Sequence, residues 1–196
     1  KKWLKRIVYT LLVLFVLLNI ICAFHAYKFT HFYAGLPKPK KPEEMSTGEK
    51  LNAMFFGVKY GKSVVVDSLT APHEVVQLKA GDSVRLEAWY LPRAKDSIIL
   101  DKGTVIMFHG HGGSKSGTIS EAETFYLMGY NVLMVDFRAH GNSDGNTCTV
   151  GYNETKDVKV AYNYILAKNE TRIYLWGISM GAAAIMKTLN DDSTMK

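Results

Sequence analysis

Cysteine is scarce. The 196-residue sequence has only two, Cys22 and Cys148. Two cysteines cannot build a disulfide framework, and since one lies in an apolar leader and the other in an expected loop, both read as free thiols. Acidic residues are missing from positions 1–42, which carry eight Lys or Arg. The rest of the chain carries sixteen Lys or Arg against eighteen Asp or Glu, a net of −2. The overall charge of +6 therefore belongs to the leader. A mildly acidic body has no electrostatic reason to bind a nucleic-acid backbone, so no nucleic-acid partner is expected. No internal repeat is found, and no low-complexity tract beyond one short Pro/Lys segment. With 47% hydrophobic and 21% charged residues, the composition is that of a globular chain with an apolar segment added. The length suits one domain plus an appendage.

The appendage is at the front. Lys1, Lys2, Lys5 and Arg6 precede an apolar run from Ile7 to Phe24, broken only by Thr10 and Asn19. As a helix the run spans roughly 27 Å, close to the hydrocarbon thickness of a bilayer. Basic residues in front favour an inside N-terminus and place the body on the extracytoplasmic side. Tyr27, Phe32 and Tyr33 suit the outer interface. A cleaved secretory leader is the alternative, but Ala23 and Ala26 have the wrong spacing for a cleavage site. The run Leu36–Pro42 (Leu-Pro-Lys-Pro-Lys-Lys-Pro) reads as a stiff extended spacer. The expected organisation is a basic segment and membrane anchor over 1–33, with residues 7–24 in the membrane. A linker and pre-domain segment follows over 34–63, including a short helix ending near Gly57, and the body occupies 64–196.

In the body, Glu74–Leu78 and Val84–Leu91 read as two strands around the turn Ala80-Gly81-Asp82. Their early alternation suits an antiparallel pair with one solvated face. After Gly103 the strands change character. Thr104–Phe108, Asn131–Phe137 and Arg172–Trp176 hold nearly continuous apolar runs, as parallel strands covered on both faces do. Helical spacing lies between them: Ile119, Ala122 and Phe125 up to Gly129; Val158, Ala161 and Ile165; and Met180, Ala183, Met186 and Leu189. Strand–helix alternation predicts an α/β fold with a doubly wound, mostly parallel sheet behind an antiparallel N-terminal pair.

Gly177-Ile178-Ser179-Met180-Gly181 is a G-x-S-x-G sequence with a buried strand before it and a helix after it. The pattern alone is unspecific; the context makes Ser179 a nucleophile candidate. A sharp turn lifts the serine oxygen off the sheet, and the glycines leave room for strained backbone. The loop His109-Gly110-His111-Gly112-Gly113-Ser114 follows another buried strand and can present backbone N–H groups to an oxyanion. The expected donors are the N–H of Met180 and the N–H of His111. The rings of His109 and His111 are expected to be structural. They alternate, but no third metal ligand lies nearby in sequence. A phosphate loop is excluded by the glycine spacing and by Lys115 following Ser114. Asp136 and His140 precede Ser179, the wrong chain order for a triad of this fold, and read as part of a scaffold loop over 136–145.

His109–Ser114, Asp136–Gly145 and Gly177–Gly181, in that order and spacing, resemble the α/β-hydrolase superfamily, in its serine aminopeptidase and prolyl-oligopeptidase-like branch. The likeness runs from about Glu74 to Asn190. It implies Ser179 as nucleophile, Met180 and His111 as oxyanion donors, and a membrane-anchored bacterial protein facing the cell envelope. Ala139 stands where that pattern commonly has glycine, which implies a backbone that avoids strongly positive φ. The family completes its triad with an acid and a histidine from later strands; no histidine follows Ser179 in this sequence, so a C-terminally truncated chain is expected. The expected activity is hydrolysis of ester, thioester or amide bonds in a small-molecule or peptide acyl substrate through an acyl-serine, with no cofactor. A degenerate membrane-anchored scaffold and an acyltransferase are the alternatives.

Overall fold

The computed structural model describes residues 1–37, 39–66, 68–81, 83–93 and 100–195. The chain divides into two compact units, Lys1–Gly61 and Lys62–Lys196.

In the first unit, α1 (Lys2–Thr30) is followed by β1 (Phe32–Tyr33), a 3₁₀ turn at Pro42–Glu44, α2 (Thr47–Phe56) and β2 (Tyr60–Gly61). The most apolar window of α1 has a mean hydropathy of 2.8, and the helix is long and apolar enough to cross a membrane. It continues past the expected end at Phe24. The Thr30 hydroxyl caps it by donating to the Ala26 carbonyl at 2.8 Å, and His31 turns extended. Helix α2 starts where sequence allows a capping box. The Glu49 N–H donates to Ser46 Oγ at 3.2 Å, and the Ser46 N–H donates to Glu49 Oε2 at 2.8 Å. It stops at Gly57, whose φ of +73° suits a residue without Cβ. The end of α2 packs on α1: the Phe24 and Phe56 rings meet edge-to-face at 5.5 Å, and His25 Nε2 lies 2.9 Å from the Met54 carbonyl. β1 and β2 pair in parallel, so residues after the expected spacer return to α1. Within that spacer, Lys38 lies outside the described residues.

The second unit holds β3 (Glu74–Lys79), β4 (Arg85–Leu91), β5 (Thr104–Phe108), α3 (Ile119–Leu127), β6 (Asn131–Val135), α4 (Thr155–Leu166), β7 (Ile173–Gly177) and α5 (Met180–Asp191). The strands form one sheet in the order β3-β4-β6-β5-β7. β4 is antiparallel to β3 and β6, while β5 is parallel to β6 and β7. The β3–β4 turn is closed by the Ser83 N–H donating to the Ala80 carbonyl at 2.8 Å; Asp82 of the expected turn lies outside the described residues.

The apolar runs explain the layering. Every residue of β5 is buried, and so are Val132–Val135 of β6, because helices cover both faces. Trp89, Leu91, Val105, Met107, Val132 and Met134 form one face with Ala122 of α3. Side-chain alternation sends Ile106, Phe108, Leu133 and Val135 to the other face. There α4 and α5 pack on β5 and on each other. The expected strand over 131–137 ends at Val135 because side chains take over the next amides. The Phe137 N–H donates to His109 Nε2 at 3.1 Å, and the Arg138 N–H donates to Asp157 Oδ2 at 3.0 Å.

One expectation fails here. Ala139 has a φ of +65°, the left-handed conformation it was expected to avoid. The tight loop after β6 imposes it. The Ala139 N–H donates to the Asp144 carbonyl at 2.8 Å, the His140 N–H donates to the Phe137 carbonyl at 3.0 Å, and the methyl group is fully buried. Left-handed backbone costs an L-residue about 1–2 kcal/mol, which glycine would avoid at some cost in unfolded-state entropy. We predict that Ala139→Gly leaves stability unchanged or raises it by up to about 1 kcal/mol, whereas Ala139→Val, β-branched at positive φ, lowers it by at least about 2 kcal/mol. Urea unfolding of the pair checks this.

Candidate active site

Strand β7 ends at Gly177 and α5 begins at Met180, so two residues make the whole connection. Ser179 occupies it with φ +50° and ψ −109°, a backbone held by its surroundings rather than by preference. The Ile178 N–H donates to the Phe108 carbonyl at 3.1 Å and the Gly181 N–H to the Ile178 carbonyl at 2.8 Å. The flanking glycines are required by contact. A Cβ on Gly181 would meet the Phe108 carbonyl oxygen at 2.3 Å, and one on Gly177 would meet the Gly181 carbonyl carbon at 2.6 Å. The turn leaves Ser179 exposed and Met180 buried behind it, with Met180 Sδ 3.3 Å from the Cys148 thiol. Cys148 is buried and free, and burial pushes its thiol up to about 12. It is therefore inert at neutral pH. Among the described residues none is hydrogen-bonded to the Ser179 hydroxyl. The Met180 N–H lies in the first turn of α5, where helix amides lack internal acceptors and the dipole is positive.

The glycine-rich loop runs directly against this elbow. A Cβ on Gly110 would lie 3.7 Å from Ser179 Cβ and 3.5 Å from the Ile178 carbonyl. The Gly113 N–H donates to the Gly110 carbonyl at 3.1 Å, which closes a turn with half-buried His111 at its corner. The structure thus brings the 109–114 loop, Ser179 and Met180 to one place at the C-terminal edge of the sheet.

Two histidines hold that loop to the one after β6. His109 Nε2 accepts from the Phe137 N–H, so Nδ1 carries the proton and donates to the Gly110 carbonyl at 2.7 Å. His140 Nε2 accepts from the Gly112 N–H at 3.1 Å, so its Nδ1–H donates to the Arg138 carbonyl at 2.8 Å. Both rings are neutral struts with no lone pair left for a proton or a metal. Burial depresses His109 to about 4 and His140 to about 3.

Charged side chains complete the frame. Lys115 is fully buried, with Nζ 2.5 Å from Asp136 Oδ2, 3.0 Å from Glu87 Oε1 and 4.8 Å from the centre of the Trp89 ring. The Lys115 and Asn142 N–H groups also donate to Asp136, at 2.7 Å and 2.9 Å. Asp136 is thereby committed to Lys115 rather than to His140. Sequence reasoning missed the Lys115–Asp136 pair. Its signal was available: parallel strands pair Phe108 with Val135, so residues just beyond both ends share one edge of the sheet. Arg138 likewise grips Asp157, with its Nη2 at 2.6 Å from Oδ1. Glu154 accepts from the N–H of Thr149 at 2.9 Å and of Gly151 at 2.7 Å. A cavity of about 360 Å³, lined by Tyr90, Asp101, Asn131, Lys168 and Arg172 among others, does not include Ser179.

A mixed sheet whose parallel strand turns through a strained serine into a helix, against a glycine-rich loop from the neighbouring strand, defines a class. The chain has the fold of the α/β-hydrolases. Residues 101–195 match the family described as serine aminopeptidase, S33. The uncharacterized protein YfhR of Escherichia coli is 29% identical over 119 residues, covering 59% of this chain and 41% of that protein. Lysophosphatidylserine lipase ABHD12 of Danio rerio is 25% identical, covering 63% of this chain and 35% of that one. Among solved structures, the Pyrococcus furiosus esterase Pf2001 is 29% identical with a TM-score of 0.55, covering 67% of this chain and 53% of the esterase. The chain spans about two fifths of the length of the Escherichia coli relative it matches.

Two outcomes follow from the frame. Lys115→Met strands a buried carboxylate and should cost about 3–5 kcal/mol in unfolding free energy. Because both histidine pKa values are depressed below the usual 6.5, the unfolded chain binds more protons than the folded one below that pH. Stability is complete above 6.5 and falls on acidification by roughly 1.4 kcal/mol per pH unit for each histidine. That loss continues down to about 4 for His109 and about 3 for His140. Unfolding free energies between pH 7 and pH 5 should fall less steeply on acidification in His140→Asn than in the wild type.

Proposed function

We propose that the protein is a membrane-anchored serine hydrolase that cleaves carboxylic esters through an acyl-serine intermediate. The observation that carries this reading is the seat of Ser179: an exposed residue on a backbone at φ +50°, between the edge strand β7 and a helix N-terminus. In this reading Ser179 Oγ gives its proton to a histidine base and attacks the carbonyl carbon. The N–H groups of Met180 and His111 receive the negative oxygen of the tetrahedral intermediate. The C–O bond then breaks, the alcohol leaves with the proton, and water releases the acid from the serine. His109 and His140 are occupied by the backbone on both nitrogens, so neither of them is that base.

An ester rather than an amide is favoured by the 29% identity to the Pyrococcus furiosus esterase. Thioesters and amides stay within reach of the same chemistry. Helix α1 is the anchor in this reading. Lys1, Lys2, Lys5 and Arg6 remain on the cytoplasmic side, and the body is extracytoplasmic.

The test is labelling of the full-length protein by a fluorophosphonate probe, beside hydrolysis of short-chain p-nitrophenyl esters. The wild type should take one label, Ser179→Ala none, and the variant should lose about 10⁴-fold or more in kcat/KM. A label that persists in Ser179→Ala would move the nucleophile elsewhere. A wild type that takes no label would favour a scaffold with a hydrolase fold.

A further inference from the structure

Helix α2 carries an apolar stripe that its own unit leaves uncovered. Leu51, Met54 and Phe55 follow helical spacing, and they are 51%, 56% and 43% exposed. The opposite side of α2 is engaged: Phe56 meets Phe24, and Glu49 holds Lys40 at 2.6 Å. Among the described residues, the stripe therefore points away from the parts of the first unit that engage α2.

Its position along α1 says what covers it. The C-terminal end of α2 is fastened at Phe24, at His25 and, through buried Gly57, at Lys28; a Cβ on Gly57 would lie 3.3 Å from His25 Cα and from Lys28 Cγ. Phe24 is the last residue of the apolar run. At about 1.5 Å per residue, Lys28 lies roughly 6 Å beyond that end. A bilayer's polar layer is about 5–8 Å deep on each side of its hydrocarbon core. The end of α2 is therefore fastened at headgroup depth. Residues 25–61 carry six lysines against three glutamates, which complements lipid phosphates.

We propose that α2 is an interfacial helix. Its Leu51, Met54 and Phe55 dip into the boundary between headgroups and acyl chains of a phospholipid bilayer containing anionic lipid, on the side where α1 ends. The proposal rests on the reading of α1 as a membrane span. It gives the first unit two membrane contacts, a span and a surface helix, and fixes the rotation of α1 about its axis.

The experiment uses full-length protein carrying Cys22→Ser, since buried Cys148 does not label. In that background Val13→Cys or Met54→Cys is tagged with an environment-sensitive fluorophore, and the protein is reconstituted in vesicles of phosphatidylethanolamine and phosphatidylglycerol. Quenching is compared between aqueous iodide, a lipid spin-labelled near the headgroup and one labelled deep in the acyl chain. Expected is deep-lipid quenching at Val13, and at Met54 severalfold more quenching by the shallow lipid than by iodide. Iodide quenching at Met54 with Val13 still deep overturns the α2 proposal alone. A Met54 probe shielded from both iodide and lipid also overturns it, because protein then covers the stripe. No lipid quenching at either position overturns the span and the surface helix together.

Discussion

The absence of a Cβ at Gly177 and Gly181 is the constraint on which the candidate site depends. α5 leaves the sheet so abruptly that the Gly181 backbone lies against the Phe108 carbonyl, and any side chain there would overlap it at 2.3 Å. The close approach lets the Ile178 N–H reach the same carbonyl. With both ends of the connection pinned, Ser179 has no freedom to relax its φ of +50°. Strain of roughly 1–3 kcal/mol at one residue is thus held by the packing of a strand, a helix and their neighbour β5.

The same site is framed by groups that give up their ordinary chemistry to become structure. His109 and His140 would titrate near neutrality in water, yet burial keeps them neutral while each accepts one backbone N–H and donates to one carbonyl. Lys115 and Asp136 form a fully buried ion pair, a poor source of net stability but a demanding specifier of geometry. Together they tie the loop after β5 to the loop after β6. These ties give the glycine-rich loop a rigidity it would not have from its own backbone, since glycines leave it free to move.

The first unit shows a different economy. α1 contributes no buried residue, and a helix that apolar has little reason to stand in water. Its last turns are used twice, as the end of the apolar run and as the platform for α2 and the β1–β2 pair. The stretch that composition marks as a spacer is thereby bracketed by packed structure on both sides.

The chain by itself determined what is local. The basic and apolar order of the leader, the short helix ending at Gly57, the switch from alternating to continuous apolar strands and the glycine–serine elbow are short-range patterns, and each was legible because steric and solvation demands act within a few residues. Only the tertiary structure decided the rest. His109 and His140 bind amides that lie 28 residues away, and Lys115 meets Asp136 across 21. Ala139 turns left-handed because Asp144 and the buried loop hold it, against the local preference that sequence reasoning followed. Such partners are chosen by which strands lie side by side in the sheet, and that order is set by burial of both faces at once, which no single segment encodes.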